Sequence, residues 1–229
     1  MMSAGHALKS FGWLVAKDLA EEARGRRVWP GMLLLGLVLV LLLGVQTELP
    51  IAHKPQVVSA SLWLAVFFAG TLALDRSFAG EREEGCWRAL LLYPLPPAVI
   101  FLAKVVVNCL ALGLLECVLI PTFAVVSDTP FLRRPFSLAM VASLGNLGFA
   151  AVGVLVSSLT AGLSHRGSLL ALLLLPLATP VMLASAEATR LLVLDDVGEQ
   201  WWRWVQMLAA FVVLFMTMGL LVFEFAIED

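Results

Sequence analysis

Charged residues are scarce in this sequence. Asp, Glu, Lys and Arg make up 14% of its 229 residues, whereas hydrophobic residues make up 61%. An average soluble domain is about 25% charged, and a chain of this length cannot bury so much apolar surface in its own core. A membrane is therefore the solvent that fits this composition. The apolar runs are continuous, as in Gly31–Val45, which favours spanning helices over the alternating strands of a transmembrane barrel.

Cysteine is also scarce, and its spacing argues against a structural role in covalent or metal cross-linking. The three cysteines, Cys86, Cys109 and Cys117, form no CxxC pair and are odd in number. This pattern argues against a disulfide framework and against a zinc site. The sequence also contains no GxSxG, HExxH or GxxxxGK[ST] motif. Common hydrolase, metalloprotease and P-loop nucleotide sites are therefore absent from it.

Long apolar stretches predict an all-α, polytopic membrane protein with six spanning helices. They lie at 29–45, 57–74, 98–120, 137–160, 168–188 and 205–223. Pro176 and Pro180 are expected to break the fifth span. Gly145, Gly148 and Gly153 give the fourth span a small-residue face, which suits close helix contact within the bundle or in a dimer.

The N-terminal stretch predicts an amphipathic helix over 5–27. Its apolar face is formed by Leu8, Phe11, Val15 and Leu19. Such a helix can lie in the headgroup plane of a bilayer. We therefore divide the chain into a cytoplasmic interfacial arm, 1–28, and a six-helix transmembrane domain, 29–229. A cytoplasmic N-terminus places ten of the 15 Lys and Arg residues on the inner side, so both termini are expected in the cytoplasm.

Among the polar side chains inside the predicted spans, the candidate functional residues are Lys104, Asn108, Glu116 and Asn146. A buried ionisable group costs about 2.5–3.5 kcal/mol on insertion scales. Glu116 is therefore a candidate for a translocation path, with helix packing or a dimer contact as the alternative. The two asparagines favour interhelical hydrogen bonds. Lys104 lies near the inner end of its span and is expected to snorkel towards water.

A charged segment, about 76–92, interrupts the apolar runs between the second and third spans and ends at prolines. Its candidate functional residues are Arg82, Glu83, Glu84, Arg88, Leu90, Leu91, Leu92, Pro94 and Pro96. The composition favours a helix, with leucines that can insert into a partner and charged groups at the rim. A plain solvated loop needs neither the leucines nor the prolines, so we predict a docking site for a soluble partner.

The stretch LLLYPLPPAVIFLAK at 90–104 resembles the heme exporter protein B (CcmB) family, as do ALDRSFAGEREEG at 73–85 and RGSLLALLLLPLATPVMLASA at 166–186. The resemblance implies a permease subunit of the cytochrome c maturation ABC system, with a type-2 ABC exporter-like fold in the bacterial inner membrane. It implies that 76–92 is a coupling helix seated in an ATPase subunit.

The same resemblance implies partners. They are a second copy of this chain, CcmA-like ATPase subunits that bind ATP, CcmC-like and CcmD-like membrane subunits, and a CcmE-like periplasmic haem chaperone. Haem is then a possible transported ligand, and no cofactor is assigned to the chain itself. Two other hypotheses stay open from the sequence. One is a general type-2 ABC permease for a lipid or drug, and the other is a secondary transporter with Glu116 as its proton carrier.

Overall fold

The computed structural model describes residues 4–25, 29–45, 54–76, 96–160 and 166–228. These residues are arranged as helices and turns, with no strand among them. In chain order the helices are α1 (Ala4–Gly25), α2 (Trp29–Val45), α3 (Lys54–Arg76), α4 (Pro97–Val126), α5 (Pro135–Thr160), α6 (Arg166–Val193) and α7 (Glu199–Glu228). A short 3-10 turn, Phe131–Arg133, connects α4 to α5.

Six of these helices are strongly apolar. Helices α3 to α7 are long and apolar enough to cross a membrane, while α2 is apolar but shorter. The 17 residues of α2 extend over about 25 Å, slightly less than the hydrocarbon core of about 30 Å. The prediction of a polytopic all-α membrane protein is confirmed. Helices α3 to α7 all extend beyond the predicted spans, because a helix can continue into the interface after its apolar run has ended.

Helix α6 corrects one expectation, since Pro176 and Pro180 do not break the fifth span. One helix runs through both prolines, and α4 likewise continues past Pro121. Proline removes a backbone donor from the helix. Membrane helices tolerate this loss because neighbouring helices and small local adjustments satisfy the carbonyl groups that are freed. Helix α6 has such neighbours, as it packs against α3, α5 and α7.

Helix α5 is the centre of the bundle, where it packs against α3, α4, α6 and α7. Its glycines face side chains of the neighbouring helices. A methyl group at Gly145 would lie 2.6 Å from a ring carbon of Trp63 in α3 and 2.8 Å from the hydroxyl of Ser185 in α6. Gly148 faces Val181 in the same way. The predicted small-residue face is therefore a seam within the bundle of this chain.

Helix α1 packs along α4. Leu14 is buried, and Phe11 and Val15 pack against the same core. Trp13 points away from the bundle and is 64% exposed. The apolar face is thus centred on Leu14, which the predicted stripe omitted. The location of α1 in the headgroup layer, and the division of the chain into an arm and a transmembrane domain, stay predictions.

The Gly145 seam predicts that added volume destabilises the bundle. We expect Gly145→Ala to cost about 1–3 kcal/mol, because the new methyl group must displace the Trp63 ring in a close-packed interior. The midpoint of thermal unfolding of the purified protein in detergent measures this effect. Gly113→Ala is the matched control, since no atom lies within 4 Å of the added carbon and alanine favours helix. Equal losses in both variants would contradict the assignment.

Candidate functional site

Helix α4 begins directly after the segment predicted to dock a partner. Pro97 occupies the first turn of the helix, where its missing N–H is tolerated. Pro96 caps the helix in an extended conformation, and its carbonyl oxygen accepts a hydrogen bond from the Val99 N–H at 2.9 Å. Outside the described residues lie Arg82, Glu83, Glu84, Arg88, Leu90, Leu91, Leu92 and Pro94. The coupling role of this segment therefore stays a prediction.

Lys104 forms a buried ion pair with Asp18 of α1. The Lys104 Nζ lies 2.9 Å from Asp18 Oδ2, and the two side chains are only 8% and 9% exposed. The lysine is therefore paired inside the protein, where the sequence had suggested that it extends to water. An ammonium group without a partner in this position would carry a large desolvation cost. The ion pair joins α1 to the N-terminal part of α4.

Asn108 lies one turn after Lys104 and is also buried. Its amide Nδ2 donates a hydrogen bond to the Lys104 carbonyl oxygen at 2.8 Å. This contact lies within α4, and the bond to another helix that the sequence favoured stays a prediction. Asn108 therefore supports the turn that carries Lys104, and its amide is oriented along the helix.

Glu116 and Asn146 form the polar contact between α4 and α5. The Asn146 Nδ2 donates a hydrogen bond to Glu116 Oε2 at 2.7 Å, and both side chains are about 5% exposed. The predicted interhelical hydrogen bond of Asn146 is thus present. Glu116 faces the interior of the bundle, which was one of the alternatives that the sequence left open. Without this donor, the buried carboxyl group of Glu116 would carry an unmet desolvation cost.

The two polar contacts hold α4 at two depths and on two sides. Lys104 and Glu116 are separated by about 18 Å along the helix axis, and by roughly 120° around it, from the 1.5 Å rise and 3.6 residues per turn of an α-helix. The structure does not bring these two charges together. Lys104 binds α1 and Glu116 binds α5, so these contacts fix both the rotation of α4 about its axis and its position along that axis.

Asp18 is the functional candidate that sequence reasoning missed. It follows Leu14 by four residues and Val15 by three, so helical spacing places it on the buried side of α1. A carboxylate at the edge of the apolar face of a helix indicates that a cationic side chain of a neighbouring helix lies close to it. The sequence alone does not identify that cation, because several Lys and Arg residues lie near the same end of the predicted spans.

No group of three or more His, Cys, Asp and Glu side chains suited to a metal ion is found in the part of the chain that the structure describes. Cys109 is half-buried and Cys117 exposed, both as free thiols. Cys86 and the side chains of the three histidines lie outside the described residues. Lys104 and Glu116 contact other helices, and we assign no cofactor to the polar groups of α4.

Comparison with known proteins gives consistent matches. The CcmB protein family matches residues 9–228. Heme exporter protein B of Rhodobacter capsulatus is 34% identical over 163 residues, which cover 68% of this chain and 73% of that protein. The Paracoccus denitrificans protein of the same name is 31% identical over 161 residues, with the same coverage. The Pseudomonas aeruginosa protein is 35% identical over 127 residues, which cover 56% of each chain.

The Glu116–Asn146 contact predicts a non-additive pair of substitutions. Asn146→Leu removes the donor and leaves a buried carboxylate, so we expect a loss of stability of about 1–3 kcal/mol or more. The double variant Glu116→Leu/Asn146→Leu removes both polar groups and is expected to recover most of that loss. The midpoint of thermal unfolding in detergent is the measurement.

The control for this cycle is the single variant Glu116→Gln, which keeps a side chain able to accept a hydrogen bond from Asn146. We expect it to lose less stability than Asn146→Leu. The single variant Glu116→Leu completes the cycle. If its loss and that of Asn146→Leu simply add in the double variant, the two side chains do not act as a pair, and the contact is wrongly assigned.

Proposed function

This chain belongs to the CcmB protein family, which matches it from residue 9 to residue 228, and from that premise we propose its function. It is the transmembrane permease subunit of a haem-exporter-type ABC complex in c-type cytochrome biogenesis. The observation that carries the proposal is the similarity to proteins named heme exporter protein B, at 34% identity over 73% of the Rhodobacter capsulatus chain. The resemblance noted at 73–104 and 166–186 is confirmed by this match.

ATP is hydrolysed by a separate CcmA-like subunit in this proposal. The sequence contains no P-loop motif, so the chain has no recognisable means of cradling the phosphates of ATP. Haem is the transported ligand, as the names of the relatives suggest. The chain itself is a membrane subunit without an enzymatic activity of its own. It passes on the conformational change that ATP hydrolysis causes in the ATPase subunit.

The segment 76–92 is the proposed contact with the ATPase. Leu90, Leu91 and Leu92 insert into a groove of that subunit, and the charged residues before them contact its rim. What supports this is the position of the segment at the start of α4. A single helix of 30 residues begins at Pro97, and both of its buried charges are bound by other helices. A displacement of the segment is therefore passed to α1 and α5.

The remaining partners follow from the family. We propose CcmC-like and CcmD-like membrane subunits, a CcmE-like periplasmic haem chaperone, and a second copy of this chain. The complex lies in the bacterial inner membrane, with both termini in the cytoplasm. The excess of Lys and Arg on the side of 76–92 supports this orientation.

The two alternatives are less well supported. Relatives named for haem export do not favour a lipid or drug permease. A secondary transporter needs Glu116 as a mobile proton carrier, yet its carboxylate is already bound to Asn146 in the bundle. We propose that Lys104, Asn108, Glu116 and Asn146 hold helices in place and do not line a haem path.

Deletion of the gene tests the proposed function. We expect a strain that lacks it to lose holocytochrome c, measured by haem staining of membrane and periplasmic fractions, and to regain it when the intact gene is returned. The physical reason is that haem does not reach its chaperone without the permease. Normal levels of c-type cytochromes in the deletion strain would overturn the proposal.

A substitution in the segment tests its coupling role. Leu91→Asp places a charge in the proposed apolar contact, so we expect the ATPase subunit to be lost from the purified complex while the permease still inserts. The matched control is Leu132→Asp in the turn between α4 and α5, where the leucine is already 55% exposed and lies at the other end of the bundle. Retention of the ATPase in the Leu91 variant would contradict the coupling role.

A further inference from the structure

Apolar contacts alone would be enough to dock α1 against the bundle, yet α1 also forms the ion pair between Asp18 and Lys104. Leu14, Phe11 and Val15 already supply apolar contacts to the bundle. A buried ion pair adds little net stability over apolar residues of the same size, since both charges must be desolvated. Its presence therefore calls for a role that apolar packing cannot fill.

The ion pair makes the contact between α1 and α4 directional. Hydrophobic contact is non-directional, so a helix that is held only by leucines and valines can slide along its neighbour at small cost. A charge-assisted hydrogen bond has a fixed length and a preferred angle. The 2.9 Å contact between Lys104 Nζ and Asp18 Oδ2 thus holds α1 in register with one turn of α4. The Asn108 bond to the Lys104 carbonyl supports that turn.

The location of this ion pair near the start of α4 indicates what role it has. Lys104 lies in the second turn of α4, close to Pro97, where the segment 76–92 has just ended. We propose that Asp18 and Lys104 are positioning residues that couple α1 to the ATPase stroke: movement imposed on 76–92 passes through the first turns of α4 to α1. This inference rests on the proposed function, because it needs an ATPase that moves the segment.

The test measures a distance in the complete complex. Spin labels are attached at Trp13→Cys, on the exposed face of α1, and at Leu132→Cys, at the opposite end of the bundle. Cys86, Cys109 and Cys117 are replaced by alanine in this background. The complex is placed in lipid nanodiscs, and the distance between the labels is measured by pulsed electron paramagnetic resonance without nucleotide and with ADP–vanadate. We expect the distance to shift by about 1–2 Å, the size of helix displacements in switching transitions.

Three variants separate the coupling from general effects of charge. Asp18→Asn removes the charge at nearly constant shape, and we expect the nucleotide-dependent shift to be lost while the ATPase subunit stays bound. Asp18→Glu keeps the charge and is expected to keep the shift. Lys17 lies 3.6 Å from Asp18 Oδ1 and 3.4 Å from the exposed Glu21 Oε1. Glu21→Gln therefore perturbs the Lys17 contacts without removing the Asp18 carboxylate, and it is also expected to keep the shift.

Several results would overturn the inference. One is a shift of full size in Asp18→Asn, and another is an equal loss in Glu21→Gln. If Asp18→Asn does not insert into the membrane, the double variant Asp18→Lys/Lys104→Asp, in which the two charges are exchanged, is measured instead. An assembled complex of this variant that shows no nucleotide-dependent change in the label distance would overturn the coupling. A complex that binds its ATPase and hydrolyses ATP without any change in the distance between the labels would also overturn the inference. That result would not affect the proposed function. A permease that purifies without an ATPase would overturn the proposed function itself.

Discussion

An ionisable side chain that is taken out of water must find a partner, and α4 carries two such side chains. Lys104 binds Asp18 of α1, and Glu116 binds Asn146 of α5. Breaking the buried ion pair between Lys104 and Asp18 by removing one partner would cost about 3–5 kcal/mol. The requirement that both be satisfied at once leaves α4 a single rotation and a single height, and the helices around it are placed accordingly.

Much of this fold is readable from sequence because the membrane allows so few backbone solutions. Only helices satisfy every backbone group within a single apolar run, so the order and number of the apolar helices could be predicted. The close contact at Gly145 was also accessible, since small residues at helical spacing permit close approach. The Asp18–Lys104 pair was not, because it depends on how α1 docks. The choice of Asn146 as the partner of Glu116 depends in the same way on the rotation of α4.

The polar residues of the bundle also bear on the proposed coupling between an ATPase subunit and this chain. A helix that receives a push at one end transmits it only as far as its side contacts are stiff. Helix α4 has such contacts near its start and again about 18 Å further along. Under the proposed coupling, movement of α4 would reach α1 and α5, and α5 in turn touches every other long apolar helix.

The two prolines of α6 have a mechanical consequence of their own. Pro176 and Pro180 stand one turn apart and remove two amide donors from the same stretch of helix. That stretch bends at lower energetic cost than an uninterrupted helix. Leu172 and Leu175 of this stretch face outward, while its other side packs against α3, α5 and α7. Helix α5 begins with a proline but has none in its interior. Helix α6 is therefore more easily bent than α5, the central helix of the bundle.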